Sequence, residues 1–174
     1  MTRNNTILLW IFATFVILAL VSSRYLLKVQ GPKDQTNFEK EFGMVFTDYD
    51  GHAVHLYDFR RKVIVAYAWA SWCTYCAQEL QNLGTLKQKY GNDIQVLAVN
   101  RAEPRPIAKE YTDKLTGVSD IKFLLDPSDS FFKSIDGYAM PETAFINSKG
   151  AIVYRQRGPL QMDDAAKKVE EALK

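Results

Sequence analysis

Val63-Ile64-Val65-Ala66-Tyr67-Ala68-Trp69 runs into Ala70-Ser71-Trp72-Cys73-Thr74-Tyr75-Cys76, and a helix-like stretch from Ala77 to Tyr90 follows at once. The first seven residues are nearly all apolar, as expected of a strand buried on both faces. Cys73 and Cys76 are the only two cysteines of the chain. A strand that ends in Cys-x-x-Cys and turns directly into a helix sets its first sulfur at the helix N-terminus. There, unpaired backbone N–H groups and the positive end of the macrodipole favour a thiolate. Cys76 lies about one turn further along the same face, within reach of Cys73. The spacing predicts a dithiol that cycles through a disulfide.

The composition supports a single globular domain with an appendage: 174 residues, 47% hydrophobic and 24% charged. A formal net charge of +2 with interleaved signs gives no footing for nucleic acid. Two cysteines are too few for a framework of several bridges. A lone Cys-x-x-Cys beside a βα pattern reads instead as a redox motif or as half of a metal site.

Residues 1–5 form a short flank. Thr6 to Ser23 carries no charge and is mostly Ile, Leu, Val, Phe and Ala. As a helix it spans ~27 Å, close to the hydrocarbon thickness of a bilayer. The expectation is an uncleaved transmembrane signal anchor over 6–23, with Trp10 near the interface. The competing reading is a cleaved signal peptide, for which Val21-Ser22-Ser23 offers small residues. Arg3 lies on one side and Arg24, Lys28 and Lys33 on the other, so flanking charge does not set the orientation. Residues 24–37, with Gly31-Pro32, read as a linker, and 38–174 as the folded domain.

Within that domain, Phe38 to Asp48 reads as an extended lead-in, Tyr49-Asp50-Gly51-His52 as a hairpin turn and Ala53 to Tyr57 as the returning strand. Arg60-Arg61-Lys62 is a solvated basic turn. After the helix ending at Gly91, Ile94 to Val99 is a second buried strand, and Ile107 to Leu115 a helix behind Pro104 and Pro106. Ile121 to Leu125 is a short strand, and Asp126-Pro127-Ser128 opens a helix running to about Ile135. Thr143 to Ile146 and Ile152 to Arg155 form a hairpin around Asn147-Ser148-Lys149-Gly150. Met162 to Leu173 closes the chain as a helix, with Asp163 and Asp164 in its first turn. This order implies an α/β layered sandwich on a mixed sheet. Val63–Trp69 and Ile94–Val99, joined by a helix, should run parallel and end on one edge, where open α/β sheets place their chemistry.

Ala68-Trp69-Ala70-Ser71-Trp72-Cys73-Thr74-Tyr75-Cys76, then Glu79, then Met140-Pro141-Glu142-Thr143 before a final hairpin and helix, resembles the thioredoxin superfamily. Within it the chain is similar to the membrane-anchored TlpA/ResA/DsbE (CcmG) group, from about Phe38 to the C-terminus. The resemblance implies a thioredoxin-like three-layer sandwich with an N-terminal β-hairpin and a helical insertion. It also implies an extracytoplasmic domain on a single-pass anchor in the cell membrane. Cys73 would be the attacking nucleophile, Cys76 the resolving thiol, and the pair a redox-active disulfide. Glu79, three residues after Cys76, would hold or relay the proton of the inner thiol; an ordinary exposed helix glutamate is the alternative. Trp72, Met140 and Pro141 would contact substrate, with Pro141 as a cis-proline freeing the Met140 backbone to pair with a substrate strand. Glu142 is reminiscent of the cytochrome-maturation branch, or else a surface strand residue.

The implied partners are protein thiols and disulfides, apocytochrome c among them, and a membrane electron donor of the thiol-transporter type. No metal or cofactor is called for. Tyr67 stands where thioredoxins carry a buried Asp, which shifts weight onto Glu79. Thr74-Tyr75 places no cationic residue between the cysteines, so the thiolate stabilisation is moderate and a reductase is favoured over a disulfide-forming oxidase. Arg101, Glu103 and Arg105 read as solvated loop charges near the same sheet edge, with partner contact as the alternative. A metal-binding module using His52, His55, Cys73 and Cys76 is the rival of another class. A non-catalytic thioredoxin-like interaction domain is a further one.

Overall fold

The computed structural model describes residues 43–174, which lie within one compact unit, Asn37–Lys174. The apolar stretch 6–23 and the linker 24–37 fall outside the described residues. Among the described residues, no helix is long and apolar enough to cross a membrane.

In chain order the elements are β1 (Val45–Asp48), β2 (Ala53–His55), β3 (Val63–Trp69), α1 (Cys76–Tyr90), β4 (Ile94–Arg101), α2 (Arg105–Thr112), β5 (Lys122–Asp126), α3 (Ser130–Ser134), β6 (Glu142–Ile146), β7 (Ile152–Arg157) and α4 (Met162–Ala172). They form one mixed seven-stranded sheet in the order β2-β1-β5-β4-β3-β6-β7. β3 lies inside it, parallel to β4 and antiparallel to β6, and all seven of its residues are buried. The unbroken apolar run follows from that position, since a strand covered on both faces has no polar side to show.

Alternation along β3 divides the core. Val63, Val65, Tyr67 and Trp69 face the helices α1 and α4, packing with Leu80, Leu83, Leu86, Ala165 and Val169. Ile64, Ala66 and Ala68 face the other side, with Phe46, Leu56, Phe131 and Ile135. Helices on both faces give the three layers expected. The β1–β2 hairpin adds to the β5 edge, and α3 is the short helix before the last strands.

Several expected boundaries shift, three of them for identifiable local reasons. The strand returning from the hairpin stops at His55 instead of Tyr57. The Asp58 carboxylate accepts the His55 N–H at 2.9 Å, and Leu56–Phe59 winds into a 3-10 turn that buries Leu56. The helix expected from Asp126 begins only at Ser130. Asp126 caps it from outside, accepting the Ser128 and Ser130 hydroxyls and the Phe131 N–H. α2 starts at Arg105, earlier than expected, because Pro106 in a first turn lacks only an N–H that would be unpaired there anyway.

Along α1, Gly84 is required by a close approach. A Cβ built there would sit 1.9 Å from the Gly117 carbonyl oxygen, so the helix lies directly on that loop's backbone. This contact helps fix the axis of the helix whose start carries the cysteines.

Candidate active site

β3 and β4 end on the same edge, and the cysteine pair lies where β3 leaves the sheet. The loop closes tightly: Cys73 N–H donates to Ala70 O at 3.1 Å, and Cys76 N–H to Cys73 O at 3.2 Å. Cys73 and Cys76 are joined in a disulfide with their Cα atoms 5.4 Å apart. Cys76 is fully buried and Cys73 is 5% exposed, between the exposed side chains of Trp72 and Tyr75. Tyr75, the N-cap of α1, makes no side-chain cap. The first-turn N–H groups are therefore not claimed by a capping side chain of their own helix, which suits a sulfur anion.

A second loop enters the sheet next to the strand that feeds the cysteines. The Met140–Pro141 bond is cis. Ala68 pairs with Glu142 in the β3–β6 register, so Pro141 falls level with the strand end that feeds the cysteines. Glu142 is 1% exposed, which corrects its reading as a surface strand residue. Its carboxylate accepts the N–H groups of Tyr138 at 2.5 Å and Ala139 at 2.9 Å, and so shapes the turn leading into Pro141. Tyr138 and Trp72 are the most exposed large hydrophobic side chains of the described residues, and Met140 is partly exposed.

Below the disulfide, Glu79 is buried on the inner face of α1, which excludes the exposed-helix alternative. Its Oε2 accepts the Tyr67 hydroxyl at 2.7 Å, and its Oε1 accepts the Leu160 N–H. Burial pushes the Glu79 carboxyl above the ordinary carboxylate range, while the Leu160 N–H and the Tyr67 hydroxyl pull against it. The Tyr67 phenol is itself driven far up by burial and by the Glu79 charge. A surface cleft bounded by Tyr75, Gln78, Asn82 and the Pro159–Asp163 segment reaches Glu79. The inner cysteine thus has a proton-binding group one helical turn away that prefers its proton more than a free glutamate does.

The loop after β4, expected to carry solvated charges or to contact a partner, is tied to the cysteine loop instead. Glu103 accepts the Ser71 N–H at 2.8 Å, the Ser71 hydroxyl at 2.5 Å and the amide of the fully buried Asn100 at 2.7 Å. It therefore ties down the residue two positions before Cys73. Arg101 is held by Asp129 at 2.9 and 2.5 Å and lies 3.4 Å over the Phe132 ring. Of the three charges, only Arg105 is exposed. An asparagine closing an apolar strand run was the one available signal for this cluster.

The His and Cys residues of the metal rival are not brought together. His52 is an exposed side chain beside Asp48, His55 packs on Tyr57, and the cysteines bind each other. Among the described residues, the metal-capable group is Asp48, Asp50 and His52, without a cysteine.

A cysteine pair at the start of a helix, on a thioredoxin-like sheet and with relatives of that name, marks a thiol–disulfide oxidoreductase of the ResA/DsbE type. The chain belongs to the Redoxin family, whose model matches residues 33–173. It is 25% identical over 127 residues to the thiol-disulfide oxidoreductase ResA of Geobacillus kaustophilus, covering 72% of each chain. With the thiol:disulfide interchange protein DsbE of Vibrio cholerae it shares 26% identity over 163 residues, 89% of this chain and 86% of the relative. A crystal structure described as a DsbE-type interchange protein from Chlorobium tepidum has the same fold. Its TM-score is 0.70 at 22% identity, over 75% of this chain and 93% of that one.

Proposed function

We propose that the protein reduces disulfides of extracytoplasmic protein substrates, held at the membrane by residues 6–23 with the domain 38–174 outside the cytoplasm. The observation that carries this reading is the division of the pair: Cys73, just before the helix, keeps 5% of its surface exposed, while Cys76 is fully buried one helical turn from the buried Glu79 carboxylate. In the reduced protein, the Cys73 thiolate attacks a substrate disulfide, forming a mixed disulfide and expelling one substrate thiolate. Glu79 takes the Cys76 proton, and the Cys76 thiolate attacks the Cys73 sulfur. The second substrate thiolate leaves, the Cys73–Cys76 disulfide forms, and two electrons have passed to the substrate. A dithiol donor, of the membrane thiol-transporter type, restores the reduced state.

Trp72, Met140 and Pro141 form the docking rim. Trp72 is 63% exposed despite its size, and Met140 lies in the loop shaped by Glu142, next to the strand end that feeds the pair. Similarity to the relatives named ResA and DsbE supports apocytochrome c cysteines as one substrate class. The favoured direction rests on the absence of a cationic residue in Thr74-Tyr75, which leaves the thiolate only moderately stabilised. Equilibration of the full chain with glutathione tests the direction. A potential near that of thioredoxin, about −270 mV, is expected, and one near −120 mV would make the protein an oxidase. Cys76→Ser should accumulate mixed disulfides through Cys73; accumulation through Cys76 in Cys73→Ser instead would reverse the assigned roles.

A further inference from the structure

We propose that Tyr67 is a positioning residue for the exchange reaction: its hydroxyl sets the proton affinity of Glu79, and with it the pH range over which Cys76 can be deprotonated. The inference rests on the reading of Glu79 as the base for Cys76.

Glu79 is a carboxylate in a nearly closed site, where an ionised group needs either a cation or hydrogen-bond donors. No cationic side chain among the described residues lines its cleft or hydrogen-bonds to it or to Tyr67. Compensation comes from two neutral donors on separate elements, the Tyr67 hydroxyl from β3 on one oxygen and the Leu160 N–H from the segment before α4 on the other. The other groups around the pair are neutral or acidic. Cys76 and Tyr75 belong to the start of α1, and Asp163 lines the cleft from α4. Tyr111 of α2 acts on the Tyr67 phenol as a further acid. Across the sheet, Thr143 pairs with Tyr67 in the β3–β6 register, and its buried hydroxyl makes no hydrogen bond.

A carboxylate balanced between burial and two donors is sensitive to the loss of either. Leu160 donates from the backbone, which no side-chain change removes. Tyr67 is the adjustable member. Its phenol is held so far above the ordinary range that it stays a donor and never competes as an acid. Removing the hydroxyl leaves Glu79 with one of its two hydrogen-bond donors in the same buried position, so the protonated form gains. The base is then available only at higher pH.

The test uses the full chain in neutral detergent, with the Glu79 carboxyl followed by carbon NMR as pH is varied in the disulfide form. This readout does not depend on turnover. Tyr67→Phe should raise the Glu79 midpoint by about one pH unit, a roughly tenfold change in proton affinity for one hydrogen bond to a charged group. The pH profile of disulfide exchange should move up with it, while Glu79→Gln alone and Glu79→Gln with Tyr67→Phe should share one profile. Site-specific 3-fluorotyrosine at position 67 keeps the ring and makes a stronger donor, and it should lower the midpoint. A midpoint unmoved or lowered by Tyr67→Phe overturns the role of Tyr67 and leaves the reductase reading intact. An exchange profile unmoved by Glu79→Gln removes the base itself, and the proposal falls with it.

Discussion

Glu103→Ala tests whether the loop after β4 holds the cysteine loop in place. The wild-type carboxylate accepts the Ser71 N–H, the Ser71 hydroxyl and the Asn100 amide, all within 2.8 Å. Ser71 is partly exposed, so water replaces the lost partner, and those two bonds together contribute ~1 kcal/mol. Asn100 is fully buried, and an amide donor left there without an acceptor costs ~1–3 kcal/mol. The sum is a loss of ~2–4 kcal/mol. With a urea slope of about 2 kcal/mol/M, the unfolding midpoint falls by ~1–2 M at unchanged slope. Locally, the ~1 kcal/mol carried by the two Ser71 bonds should make the Ser71 amide exchange about fivefold faster. Urea titration and amide exchange of the full chain read both effects. A midpoint within ~0.3 M of wild type together with an unchanged Ser71 exchange rate would refute the reasoning, since it would mean that the three bonds carry no net stability.

Asp48 offers a pH test. The Lys122 ammonium at 2.7 Å, with the N–H groups of His52 and Asp50, holds its carboxyl well below the ordinary range. A depressed folded-state value means stability present above the unfolded value of about 3.9 and lost as pH falls toward the folded one. Asp48→Asn should therefore cost ~1–2 kcal/mol near neutral pH, the smaller figure allowing for the solvent-exposed end of Lys122. The two stability curves should converge in acid, and parallel curves would show that Asp48 is not held as described. At Gly84, helix propensity alone predicts a gain of ~1 kcal/mol for alanine. The 1.9 Å approach of the new Cβ to a backbone carbonyl should win, and Gly84→Ala should lose ~1–3 kcal/mol in the same urea assay. A stabilised variant would mean that the Gly117 loop yields freely.

Much of the fold was legible because its signals are local. The apolar run Val63–Trp69 announced an interior strand, and Cys73-x-x-Cys76 before a helical stretch announced the site. Asp-Gly and Lys-Gly marked turns, and the acidic first turn marked the closing helix. Two of the misplaced boundaries are set by a carboxylate that reaches a few residues along the chain: Asp58 turned back on His55 and ended β2 early, and Asp126 reached forward and postponed α3. Propensity does not record which carboxylate finds which N–H.

The hydrogen-bond partners of the acidic residues were not legible, even where a role was read for Glu79. Glu79, Glu103 and Glu142 look alike in the chain, each within reach of a motif. Folding gives them different partners: Leu160 lies 81 residues from Glu79, Ser71 lies 32 from Glu103, and Glu142 turns back on Tyr138 and Ala139. The sequence by itself determined that two sulfurs would meet at the start of a helix, because strand, turn and helix are consecutive and the chain supplies no other cysteine. It also put Glu79 on the face of Cys76; only the tertiary structure decided that this carboxyl would be buried and that Tyr67 and Leu160 would hold it. Burial and hydrogen bonding depend on elements distant in the chain, and their sum sets whether such a group keeps its proton.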